Sequence, residues 1–230
     1  GRGRNIGIKR ARNEIIAVTD VGCRPHRDWL LKLTVPLLNK EADVTSGFYR
    51  TIEQTHLQRA VAPYLAILPN KWNENYLPAS RSIGFTKSAW KKVNGYPEDA
   101  EFGGEDLEFA RRLRDESGIK IEPVPQALVD WEVPNNLADF MRDINKHTLG
   151  NWEVGYKPHI LRNLTVVLRW IAFLMWPWLL VVYLVWVLGK SGEWRKSVRV
   201  SLWTPVVQLI SDVAIIATMV VWGLEKLRLK

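Results

Sequence analysis

Ile15-Ile16-Ala17-Val18-Thr19-Asp20 is the stretch on which the fold turns: an unbroken apolar run closed by a carboxylate, with the turn residues Gly22 and Pro25 after it. A short run without alternation suits a strand buried on both faces, as in a parallel sheet. In open α/β sheets ligands bind at the carboxyl ends of strands, so Asp20 is placed to reach a crevice. A carboxylate there can hold a divalent ion that bridges a diphosphate, or accept hydrogen bonds from a ribose. It can also simply start the turn or cap the next helix.

Working outward, residues 2–12 read as a basic helix, and 28–38 as a helix with Trp29, Leu30, Leu33 and Leu37 on one side. Strands are expected at 44–49, 82–86, 120–124 and 127–131, with helices at 53–68, 88–93, 105–116 and 137–149. A loop rich in Asn and aromatics covers 69–78. Alternating strands and helices make residues 1–156 an α/β domain.

Beyond residue 156 the text changes. Residues 170–188 carry no charge and, at about 1.5 Å per residue, span roughly 28 Å, close to the hydrocarbon thickness of a bilayer. Pro177 should kink that helix, which membrane helices tolerate. A second apolar stretch, 200–224, is interrupted by Gln208 and Asp212. The pair reads as a transmembrane hairpin. An interfacial second helix, or two core helices of a soluble protein, are the other readings. From Lys157 onward there are ten Lys and Arg against three Asp and Glu, while the rest of the chain is nearly neutral. That excess flanks apolar stretches instead of forming a basic face on a domain, which suits anionic lipid and argues against nucleic acid. Six Lys and Arg on the outer flanks against four in the hairpin loop favour a multi-pass protein of the inner membrane with its α/β domain in the cytoplasm. The single cysteine, Cys23, excludes an intramolecular disulfide and supplies no metal cluster.

A second chemical motif is Gly103-Gly104-Glu105-Asp106 ahead of a helix. Paired glycines allow a tight turn or a close backbone approach. A carboxylate in the first helical turn is favoured by the dipole, and facing a crevice it can take a proton from a hydroxyl. An ordinary acidic first turn would look the same.

Taken in order, the motifs from the first residue to about residue 156 resemble the family-2 glycosyltransferases of the GT-A fold. The matching pieces are Gly3-Arg4-Asn5-Ile6-Gly7-Ile8, Glu14 to Asp20, and Pro25 with Asp28-Trp29-Leu30. Ser80-Arg81-Ser82-Ile83-Gly84-Phe85, Trp90 with Gly95-Tyr96-Pro97, and Gly104-Glu105-Asp106 with Arg112-Leu113-Arg114 follow. The resemblance implies an incomplete GT-A domain, a Rossmann-like mixed sheet, followed by the transmembrane helical hairpin. It implies that Asp106 is the general base of an inverting transfer from a nucleotide-sugar donor to a lipid-linked or polymeric acceptor. It places Arg4, Asn5, Asp20, Ser82 and Glu105 on the donor side, with Asp20 as the metal contact for Mg or Mn.

Two departures qualify that picture. Gly22 stands where a second acid is usual, which puts metal binding by Asp20 alone in doubt. Leu149 stands where relatives carry an arginine over the pyrophosphate, leaving Lys146 and His147 as substitutes. The family's first strand and its base-reading segment are expected upstream of Gly1, so that this stretch alone is expected to be inactive. A non-catalytic membrane scaffold derived from a transferase is the alternative reading.

Overall fold

The computed structural model describes residues 1–67, 76–195 and 197–228, with backbone alone at 189–195 and 225–228. Most of the loop expected at 69–78 therefore lies outside the described residues. So do the side chains of Lys190, Arg195, Lys196, Lys226, Arg228 and Lys230, which enter the orientation count. In chain order the elements are α1 (Arg2–Arg10), β1 (Ile15–Val18), β2 (Cys23–Pro25), α2 (Trp29–Leu38), β3 (Val44–Ile52), α3 (His56–Leu65) and β4 (Ile83–Thr86). Then come α4 (Lys87–Lys92), α5 (Glu105–Asp115), β5 (Ile121–Glu132), α6 (Leu137–Glu153), α7 (Lys157–Met175), α8 (Trp178–Arg195) and α9 (Val198–Arg228).

The chain divides into two compact units, one of Gly1–Ile52 with Ile67–Glu132, the other of Glu53–Ala66 with Val133–Lys230. The first unit thus runs to residue 132, and α3 belongs with the later helices. The reason is the apolar face of α3: Ala60, Val61 and Ala62 are buried, and the Tyr64 hydroxyl donates to Gln208 Oε1 at 2.8 Å.

In the first unit five strands form one mixed sheet in the order β1-β4-β3-β5-β2. Only β3 and β5 run parallel; the other neighbours are antiparallel. The opening apolar run is thus an edge strand paired antiparallel with β4, and of its residues only Ile16 is fully buried. Ile16 faces the core and Val18 packs against it, while the other face is only half covered. The two short strands expected at 120–131 are a single β5. Its register against β3 slips between Ser46 and Phe48, in the stretch where Pro123 and Pro125 lack ladder donors. Gly47 lies at the slip, and a Cβ there would meet Ser82 Oγ at 2.0 Å and the Ala127 carbonyl at 2.6 Å. On the core face of β1 and β4, Phe109 stacks on Tyr96 and meets Phe85 edge-on, in a cluster with Leu113, Ile83 and Val44. Each such side chain contributes about 1.5–3 kcal/mol on burial.

The second unit is helical. The uncharged stretch expected as one helix over 170–188 is two: α7 ends at Met175 and α8 begins at Trp178. Pro177 lacks an N–H and pushes Trp176 out of the helical region, so the break replaces the kink. The second expected stretch is one helix, α9, and its portion Val198–Leu224 is long and apolar enough to cross a membrane by length and composition. Asp212, which interrupts that stretch, is 1% exposed and fully engaged. Its Oδ1 accepts from Arg169 (2.7 Å) and Gln208 (2.9 Å), and its Oδ2 from Trp170 Nε1 (3.0 Å) and the Tyr183 hydroxyl (3.2 Å).

Candidate functional site

Three segments of the first unit bring charge together: the middle of α1, the turn after β1 and the start of α5. The turn before α5 depends on glycine. Gly103 and Gly104 both have positive φ, 126° and 79°, a backbone region that costs a residue with a Cβ. Helix α5 then opens with Glu105, Asp106 and Glu108 in its first turn, where unpaired N–H groups favour negative charge.

Arg4 reaches across from α1 to both acids at the mouth. One guanidinium nitrogen meets Glu105 Oε1 at 2.5 Å and another meets Asp20 Oδ1 at 2.7 Å, with the group lying 5.4 Å from the Tyr96 ring centroid. Burial works against the charge of Glu105, yet the Arg4 bond prevails and holds its carboxyl below the ordinary value. Asp106 behaves oppositely. Burial, and next the negative charge of Glu105, push its carboxyl above the ordinary range, while the Leu107 N–H, donating to Oδ1 at 2.8 Å, and the Arg81 charge pull it down. The site therefore holds a committed acid, Glu105, beside one that resists ionisation, Asp106.

Asp20 lies two residues beyond the end of β1, in a turn closed by the Cys23 N–H donating to its carbonyl at 3.1 Å. Gly22 occupies that turn with φ 87°, so the backbone itself favours glycine where a second acid is usual. Among the described residues no three His, Cys, Asp or Glu side chains gather as a metal-ligand set. Asp20 is engaged by Arg4, and Gly22 offers no side-chain oxygen. These residues do not by themselves fit a divalent ion.

Two residues expected on the donor side, Asn5 and Ser82, are buried and hydrogen-bonded within the unit. Asn5 is 3% exposed; its Nδ2 donates to the Tyr96 carbonyl and to Glu98, and its Oδ1 accepts from the Tyr96 N–H and Trp90 Nε1. It ties α1 to the 90–98 turn and so fixes Arg4 one residue earlier. Ser82 is 1% exposed; it accepts from Trp29 Nε1 and donates to the Ala127 carbonyl, both at 2.9 Å. It braces the wall from behind. Lys146 and His147 are exposed on α6 in the second unit.

What the sequence reading missed lies beside Ser82. The Arg81 guanidinium rests 4.0 Å from the Trp131 ring centroid and 4.8 Å from that of Tyr49. Those rings are diagonal neighbours on paired strands, since Tyr49 registers with Val129 and Thr51 with Trp131. Tyr76, edge-on to Phe48 at 5.4 Å, has a buried hydroxyl without a hydrogen-bond partner. Arg81 itself is visible in the Ser80–Phe85 motif, but only the sheet register supplies its seat.

Comparison with known proteins agrees with this architecture. One solved structure with a similar fold is the mannosyltransferase PcManGT from Pyrobaculum calidifontis in complex with GDP-Man and Mn2+, at TM-score 0.50 and 17% identity. The alignment covers 94% of this chain and 64% of that one, so the chain spans under two thirds of that protein's length. A second is described as the crystal structure of a mycobacterial protein, with TM-score 0.41, 19% identity, and coverage of 67% of this chain and 52% of that one. No curated protein matches. At this identity the first likeness shows the fold alone, a GT-A-type mixed α/β sheet. Residues 78–224, more than half of the chain and including Arg81 and Asp106, match the description Glycosyl transferase family group 2, and the chain belongs to that family.

Proposed function

We propose that this chain carries the catalytic base of an inverting glycosyltransferase that moves a sugar from a nucleotide-sugar donor to a lipid-linked or polymeric acceptor at a membrane. The observation that carries the reading is Asp106: a partly buried carboxylate at the start of α5, raised in pKa, beside the Asp20–Arg4–Glu105 chain of charges. A raised carboxyl is a better proton acceptor once ionised. In the transfer, Asp106 takes the acceptor hydroxyl's proton as that oxygen bonds to the anomeric carbon. The bond from that carbon to the nucleotide diphosphate breaks on the opposite face, and the diphosphate leaves with the electron pair. One base and an anionic leaving group are all that inversion requires.

The mannosyltransferase of similar fold was solved with GDP-Man and Mn2+, which supports a nucleotide-sugar donor here. The C-terminal charge pattern and the apolar α9 support a membrane location, with the α/β unit on the cytoplasmic face. Asp106→Asn in the complete protein should lower turnover by about 10²–10⁴-fold with circular dichroism and detergent solubility unchanged. Unchanged turnover removes Asp106 from the role of base. Calorimetry with UDP- and GDP-sugars, with and without Mn2+ or Mg2+, separates this reading from a non-catalytic scaffold, which binds none of them.

A further inference from the structure

We propose that Arg81 is an oxyanion contact of the active site, holding a phosphate group of a substrate against the Asp106 side of the crevice. The inference rests on the transferase reading above and assigns a residue role within it.

Three observations lead there. The Arg81 guanidinium lies over the rings of Trp131 and Tyr49, a seat that holds the group by its π contacts and takes none of its N–H donors as a hydrogen bond to a carboxylate. Among the described residues no carboxylate pairs with it. The acids closest to the site are already engaged: Asp20 and Glu105 with Arg4, and Asp106 with the Leu107 N–H. A guanidinium has five N–H donors, and a merely structural arginine in a partly buried place would use them on a carboxylate or backbone carbonyl.

The site also has a charge requirement. Asp20, Glu105 and Asp106 lie close enough for the charges of the first two to act on the third, and Arg4 is shared by Asp20 and Glu105. A diphosphate entering there needs a cation whose hydrogen bonds are not already taken, and among the described residues Arg81 is paired with no carboxylate. Its position is fixed by its neighbours in sequence. Ser80 bonds to the Tyr96 hydroxyl at 3.2 Å and Ser82 to Trp29 and Ala127, so the chain is pinned on both sides of Arg81. Tyr76, close enough for its hydroxyl to sense the charges of Arg81 and Asp106, adds an unpartnered buried hydroxyl to the same surroundings.

The phosphate has two candidate sources, the donor's diphosphate and the phosphate of a lipid acceptor. The test uses the complete protein in detergent, with UDP and GDP, the matching nucleosides, inorganic pyrophosphate, and phosphatidylcholine vesicles with or without a prenyl phosphate. Arg81→Met keeps an apolar chain on the two rings and removes the charge; Arg81→Lys keeps charge without the planar fork. Losing a charge-assisted hydrogen bond, about 1.5–3 kcal/mol, corresponds to roughly 10–150-fold in affinity. That weakening is expected for the diphosphates or for prenyl phosphate vesicles in Arg81→Met, with a smaller loss in Arg81→Lys and unchanged thermal melting in both. Loss on the nucleotide arm alone, with a fall in kcat, assigns the donor diphosphate. Loss on the vesicle arm, with a rise in acceptor KM, assigns the acceptor. Wild-type-like binding on both arms in Arg81→Met, or melting lowered with binding intact, overturns the role of Arg81. If the wild-type protein binds no phosphate probe, the transferase reading falls as well.

Discussion

Asp106 is surrounded by influences that oppose its ionisation, burial first and Glu105 second. Its folded pKa lies above the value of about 3.9 for an unfolded Asp. Between those two values the native state binds more protons than the unfolded chain, so stability falls as pH rises through the window and does not recover above it. Asp106→Asn should therefore melt at the same or a higher temperature than the wild type near neutral pH, with a flatter pH dependence on the acid side. Thermal melts across a pH series test this, and a variant that melts lower at neutral pH contradicts it. In the wild type the acid limb of the turnover profile should be shifted upward from the ordinary carboxylate range. Glu105 carries the opposite sign: its depressed pKa stabilises the fold above the unfolded value, and that contribution is lost as pH falls through the folded one. The acids of this site are legible in the sequence because each follows a strand or begins a helix, places that pattern alone identifies. The internal hydrogen bonds of Asn5 and Ser82 are not legible there, because a buried polar residue bonded within the fold reads the same in one dimension as one that faces a ligand.

At the scale of the element, the start of α5 rests on Gly104 in the left-handed region. Gly104→Ala places a Cβ where L-residues are disfavoured, costing about 1–2 kcal/mol. It should also rotate the first turn that carries Glu105 and Asp106. Chemical denaturation of the complete protein should show that loss together with reduced turnover. A variant as stable and as active as the wild type would mean the turn adapts freely. The helices of the first unit were readable to within a few residues because their apolar faces repeat at helical spacing. Strand partners were not. The Ile15–Val18 run looks like a central parallel strand, yet it lies at an edge, since a four-residue run cannot say how many neighbours it has. Likewise Pro123 and Pro125 suggest two strands where a register slip lets one continue. The seat of Arg81 was hidden for the same reason, because Tyr49 and Trp131 meet only through β3 and β5.

On the scale of the whole molecule, the helical unit is held by polar groups in an otherwise apolar setting. Asp212 collects donors from α7, α8 and its own helix, with Arg169 also 4.5 Å from the Tyr183 ring centroid. Removing only one partner strands the other. Asp212→Leu should cost about 3–5 kcal/mol, while the Arg169→Met, Asp212→Leu pair should recover most of it. Detergent unfolding of the two variants checks this, and equal loss in both would show that the pair contributes no coupling. The same network bears on how the protein is made. Synthesis runs from the N-terminus, so Arg169, Trp170 and Tyr183 leave the ribosome before Asp212 exists. Were α9 to enter a bilayer, as proposed, it would meet partners for its carboxylate already made, and its insertion would be contingent on α7 and α8 being in place. Under that proposal, a chain that lost those two helices would insert α9 with an unmatched charge near the middle of its apolar Val198–Leu224 stretch.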